Sequence, residues 1–277
     1  MTSLNTNIAA MNSLRLMNIN SNDLTKTQQR LSSGLRINSA ADDPAGLGIA
    51  QQLTSQIRGD TVASNVNIQQ AQSMIQIADS GLSQIGDIMQ RMRELAVQAN
   101  NNALSANQSN ALDSEYQSLK TAIDDIANGS TFNGKVLLDG SLAGGNQVQL
   151  QIGAQQTQTT TISQFATDRR SAALSINGTD LTSAANAQQA QTNVDTDIQA
   201  ISTARAQLGA KSQELGFLKG ALDSSIVANT DARSRIQDAD VASEVSNLVR
   251  EQLLAQAGTS ALSSANFAPQ NVLALLK

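Results

Sequence analysis

The 277-residue chain contains no cysteine, no histidine and no tryptophan. Without cysteine there are no disulfides and no thiol chemistry. Without cysteine and histidine together, the usual zinc ligands and nucleophile–base pairs are missing. The Gly46 and Gly48 pair in "AGLGIA" lacks the Lys-Ser/Thr end and the preceding strand of a phosphate-binding loop. These absences exclude most enzyme classes, and no cofactor or catalytic residue is expected. Aromatic residues are only 2 % of the chain, so the usual large core fillers are scarce. Charged residues are only 15 %, and the net charge of −5 comes with no Lys/Arg run, which leaves nucleic-acid binding without its electrostatic footprint. No run of about 18 apolar residues is present to span a membrane. The start, "MTSLNTNIAAMNSLRLMN", lacks a basic segment ahead of an apolar one, so no cleavable secretory signal is expected.

What fills the chain is Ala, Ser, Thr, Asn and Gln around helically spaced aliphatics. Such a surface is polar without strong fields, and it suits packing against many copies of itself. Over residues 1–35, Leu4, Ile8, Met11, Leu14 and Met17 recur at steps of three and four. Met17, Leu24 and Leu31 then sit seven apart, with Leu35 in the neighbouring register, as in a coiled-coil seam. Little else in the chain is free to cover this stripe, so its burial is expected between molecules.

The stretch "RLSSGLRINSAADDPAGLGIA" interrupts the helical pattern. Gly34 and the Asn38-Ser39 pair end the first helix. Asp43 before Pro44 starts the second, because the carboxylate accepts from orphan amides and the ring fixes φ where no donor is needed. That second helix should run from about 45 to 100, roughly 80 Å, too long to bury its face alone. A third helix is expected over about 107–128, a small β-hairpin region over about 130–182, and a long helix over about 184–229. A last helix over about 236–277 carries Val241, Val245, Leu248, Leu253 and Leu254, with Pro269 expected to kink it. At its end, Val272, Leu273, Leu275 and Leu276 pack four large aliphatics into a few residues, unlike a tail left in water.

The order is nearly symmetric about its middle, so the end helices should pair, and so should the two long ones. Charge agrees. Residues 1–36 hold Arg15, Lys26, Arg30 and Arg36 against Asp23, whereas residues 236–277 hold Asp238, Asp240, Glu244 and Glu251 against Arg250 and Lys277. The fold class is therefore mainly α: long antiparallel helices forming a coiled-coil-like rod, a small β-hairpin region, and N- and C-terminal helices paired in a separate inner domain. The expected division is 1–40, 41–232 and 233–277.

Five segments, "LSSGLRINSAADDPAGLGIA", "QRMRELAVQANN", "FNGKVLLDG", "ARSRIQDADVASEVSNLVREQLLAQAGTSAL" and "PQNVLALLK", occur in an order that closely resembles bacterial flagellin. The resemblance covers 1–140 and 184–277, in a short form without the large variable outer domains. It implies that Leu4, Ile8, Met11, Leu14, Met17, Leu24, Leu31, Leu35, Val245, Leu248, Leu253, Leu273, Leu275 and Leu276 help build an inner tube of a filament. It also implies that the two joints are spokes between inner and outer layers, with Gly34, Arg36, Asp43 and Pro44 in one and Arg235 and Asp238 in the other. Arg91, Leu95 and Glu115 match positions by which Toll-like receptor 5 recognises flagellin monomers, on a face that also packs between subunits.

The implied function is a structural, self-assembling subunit of the flagellar filament, extracellular and exported unfolded without a cleavable signal. Its implied partners are itself, the export chaperone, the filament cap protein and the hook–filament junction protein. Two alternatives stand beside it. The hook–filament junction protein shares such terminal helices and "ADDPAG", although "QRMREL" and "RSRIQDADVASEVS" favour flagellin. A coiled-coil adaptor module would need unbroken heptads, against which Gly34 to Pro44 argue. A protease-bearing flagellin would need a histidine-based metal motif.

Overall fold

The structure, a computed structural model, describes residues 6–274, with side chains through residue 267. Six helices carry it: α1 (Ile8–Ser33), α2 (Pro44–Val62), α3 (Ile68–Ala99), α4 (Ala106–Gly129), α5 (Ala184–Gln237) and α6 (Val241–Ala274). Between α4 and α5 lie two antiparallel hairpins, β1 (Thr131–Phe132) with β2 (Lys135–Val136), and β3 (Val148–Gln151) with β4 (Thr159–Ile162). The chain divides into two compact units, residues 1–55 with 228–277, and residues 56–227. Helices α2 and α5 contribute residues to both.

In the first unit, α1 and α6 pack side by side. Asn7 donates to the Ala265 carbonyl, Asn20 to the Glu251 carbonyl and Arg30 to the Glu244 carboxylate, so the partner in α6 falls as the position in α1 rises. The pair is therefore antiparallel, as the symmetry of the sequence implies. Two helices alone cannot enclose a core. Ala10 and Thr27 are the buried residues of α1, and none of its larger aliphatics is fully enclosed.

The second unit holds the main core. One face of α3 supplies Ile68, Ile75, Leu82, Ile85, Met89 and Met92. Tyr116 and Ile123 of α4, and Val194, Ile201, Leu208 and Leu215 of α5, close over it, while Ile162 and Phe165 seal the β end. Cross-helix ion pairs fix the antiparallel run of α3 and α5: Arg93 meets Asp195, and Asp79 meets Arg205. A capping box starts α4. The Ser105 hydroxyl accepts from the Gln108 amide, and the Gln108 side chain accepts from the Ser105 amide. Asn133 and Gly134, both at positive φ, turn β1 into β2, as a two-residue primed hairpin loop requires.

Three boundaries differ from expectation. The helix expected over 45–100 is broken in period by a π-helical turn, Ala63–Asn67, that separates α2 from α3. Helix α5 does not stop near 229 but runs to Gln237, and the last helix starts at Val241 rather than near 236. Helix α6 runs through Pro269, where the kink is expected, to Ala274.

Candidate functional site

The joints after α1 and before α6 meet each other within the first unit. Gly34 ends α1 in the left-handed conformation (φ 71°), and its amide returns to the Arg30 carbonyl. An L side chain there would be strained, which is why glycine suits this cap. The Arg36 amide and guanidinium donate to the Gln237 and Ile236 carbonyls, and the Ala239 amide donates to the Gly34 carbonyl. Leu35 and Asp238 thus face each other across a short antiparallel bridge. Asp43 caps α2 as its position before Pro44 implies: its carboxylate accepts from the Gly46 amide at 2.9 Å. A Cβ on Gly46 would press to 2.8 Å from the Ile37 side chain, so only glycine lets cap and Ile37 share the space. The neighbouring Asp42 accepts from the Ser39 amide and hydroxyl and from the Asn38 amide, and these bonds hold its carboxyl below the usual carboxylate range. Of the six joint residues singled out in the sequence, Gly34, Arg36, Asp43 and Asp238 sit in this assembly of loops, and Pro44 opens α2 beside it. Arg235 instead lies in the last turn of α5, exposed and paired with Asp231.

The stripe residues follow one rule: they are in water or half in water. Ile8 is 65 % exposed, Met11 61 % and Leu253 61 %, with Leu14 and Val245 also exposed. Met17, Leu24, Leu31, Leu35 and Leu248 are half-buried against the partner helix. Leu4, Leu275 and Leu276 lie outside the described residues, as does the side chain of Leu273. Leu16, Ile19 and Val249, which the sequence did not single out, are also exposed on this pair, as is Leu254. Leu16, Met17, Ile19 and Leu254 line an open groove of about 420 Å³ between α1 and α6. Polar anchors sit beneath the stripe. Thr27, 4 % exposed, donates to Glu251, and Glu244 beside Arg30 is also buried.

In the second unit, Arg91 binds Glu115 through two nitrogens, at 2.8 and 3.0 Å, and Glu94 through a third at 2.9 Å. Arg91 and Glu115 are about half exposed, so the cluster faces water. The hydrogen bonds to Glu115, then to Glu94, raise the already high guanidinium pKa further, so its charge is fixed. Leu95 does not join them. It is 1 % exposed among the core residues of α3, and its side chain offers no surface to a partner. It lies four residues after Arg91 at the edge between two faces, and packing turns it inward.

Asp197 is the buried charge that sequence reasoning missed. At 3 % exposure it accepts from the Ser175 and Ile176 amides, each at 3.0 Å, and pins the loop ahead of α5. Among the described residues no three His, Cys, Asp or Glu side chains converge as a metal site, and no helix is long and apolar enough to cross a membrane.

Large aliphatics exposed along the length of a helix pair mark a surface for contact with other molecules. The class is a mainly helical protein that carries such a contact surface. Residues 4–143 match the family model described as the bacterial flagellin N-terminal helical region, and residues 191–276 match the bacterial flagellin C-terminal helical region. The flagellin of Halalkalibacterium halodurans is 39 % identical over 274 residues, covering 99 % of each chain. That of Bacillus subtilis is 37 % identical over 303 residues, again covering 99 % of each. The crystal structure of Bacillus cereus flagellin, 32 % identical, covers 56 % of this chain and 86 % of its own, with a TM-score of 0.49. The chain belongs to the bacterial flagellin family, structural subunits of the flagellar filament rather than enzymes.

Proposed function

We propose that the two ends and the middle of this chain divide the work of the filament. Residues 1–40 and 233–277 line its inner tube, residues 41–232 form its outer wall, and the clasped loops Gly34–Pro44 and Asp238–Asp240 are the spokes. The observation that carries this reading is that Ile8, Met11, Leu14, Leu16 and Ile19 of α1 and Val245, Val249, Leu253 and Leu254 of α6 are all exposed on helices that already have one another as partners. Only further copies of the same pair supply matching apolar surface at matching spacing. The charged cluster of Arg91 and Glu115 is the lateral contact, and the same surface on free subunits is the one Toll-like receptor 5 reads. Leu95 supports that surface from behind. The subunit leaves the cell through the flagellar export channel, escorted by the export chaperone. It adds beneath the cap protein to a filament that begins at the hook–filament junction protein.

Deleting residues 241–277 tests the division. The truncated chain should retain the core of residues 56–227, remain monomeric and fail to extend seeds. Filaments grown from it would show that the outer wall alone drives assembly.

A further inference from the structure

Phe217 is 79 % exposed in the middle of α5, although the whole chain holds only four phenylalanines. It stands on the far side of the helix from the buried Leu208 and Leu215, nine and two residues earlier. At 3.6 residues per turn the same outer side carries Ala206, Ala210, Gln213, Ala221 and Ser224, all exposed and none charged. An outward helix face in water ordinarily carries charge. Here the charges of this stretch stand to the sides and are already paired within the unit: Arg205 with Asp79, Lys211 with Glu214, and Lys219 with Asp223. Charge depletion around a lone aromatic anchor is the composition of an interface centre.

The same unit has a hollow to match. Ser73, Gln76, Ile77, Ser80 and Gly81 of α3, with Ile126 of α4, line an open groove of about 570 Å³. It too is uncharged, Ile77 and Ile126 give it an apolar patch among small and amide side chains, and its volume exceeds what a phenyl ring needs.

We propose that Phe217 of one subunit seats in the α3–α4 groove of a second copy, with the small residues of the α5 strip letting the helices approach closely. The occupant is another copy because the chain is a filament subunit, the reading on which this contact rests. Knob and hollow lie on different elements, so each copy can offer its knob to one neighbour and its hollow to another. Such a contact propagates rather than closes, as a filament requires. It is separate from the exposed stripe of α1 and α6 and from the Arg91–Glu115 cluster.

The test has two arms. Phe217→Ala should keep its helicity and melting temperature, because the ring touches little in the monomer, yet raise the critical concentration for seeded growth at least about tenfold. An unchanged critical concentration, with filaments forming normally, overturns the contact while leaving the filament reading intact. In the second arm p-benzoylphenylalanine replaces Phe217 and assembled filaments are irradiated. Cross-links between chains should map to residues 73–84 or 126–130. Cross-links to other segments, or none between chains, overturn it.

Discussion

Replacing Leu16 and Leu254 together by serine should cripple polymerisation while leaving the core of residues 56–227 untouched. Both leucines line the groove between α1 and α6, and they are 59 % and 52 % exposed. Fully burying a leucine is worth about 1.5–3 kcal/mol, so roughly half, about 0.8–1.5 kcal/mol each, remains to be gained on assembly. The pair therefore contributes about 1.5–3 kcal/mol per subunit added, at about 25 cal/mol per Å² of apolar surface. With every 1.4 kcal/mol a factor of ten, the critical concentration should rise about 10- to 150-fold. Sedimentation of seeded filaments at graded protein concentrations reads it directly. The thermal melt of the monomer is the control, since the chief core lies in the other unit. A critical concentration within twofold of the parent protein would refute the reasoning, because the exposed stripe would then be no part of an interface.

Three further outcomes follow. Arg91→Ala with Glu115→Ala should leave the melting temperature nearly unchanged, since exposed pairs contribute about 0–1 kcal/mol, but should weaken both Toll-like receptor 5 signalling by monomer and filament growth; signalling equal to the parent would remove the receptor role. Gly59→Ala gains about 1 kcal/mol of helix propensity, yet its Cβ would lie 2.6 Å from that of Ala154, so the melt should fall, and a rise would contradict the close packing of the β3–β4 loop on α2. Hydrogen bonds from the Arg170 side chain, then its amide, hold the Asp168 carboxyl below the usual range. Its stabilising contribution is therefore complete above about pH 4 and is lost as the pH falls through the lowered value, so Asp168→Asn should cost about 1 kcal/mol or less at neutral pH and progressively nothing in acid. A gap between the two melts that persists unchanged into strong acid would contradict this assignment.

Much of the framework was legible because local signals and the fold agree. The seven-residue spacing of Met17, Leu24 and Leu31 gives α1, and Asp43 before Pro44 starts α2 where such a cap must. The palindromic order of helices and the opposite charge of the ends give the antiparallel pairs, seen in Arg30 with Glu244. The π-helical turn was not legible, because Val62 and Val66 keep ordinary helical spacing across it. What fixes it is distant: Ser64 donates to Asp223, and Asn67 donates to the Gln151 carbonyl in β3. The end of α5 misled for the opposite reason. Residues 230–237 carry little apolar pattern, but Ala232, Arg233, Arg235 and Gln237 favour helix, and Arg235 pairs with Asp231 one turn away. Leu95 shows the limit of reading a site by motif. The sequence places it beside Arg91, and only the packing of α3 against its neighbours decides that it faces inward. Likewise no residue type announces that Gly34 and Ala239 will hydrogen-bond across 205 residues of chain.

Completion of the α1–α6 pair by other copies of itself can be read from amide hydrogen exchange across residues 8–33 and 241–267, compared between monomer and filament. In the monomer these segments should exchange far faster than the α3 core, because two helices with exposed aliphatic faces open readily. In the filament their protection should rise to match the α3 core. Equal protection in monomer and filament, or fast exchange that persists in the filament, would contradict the account.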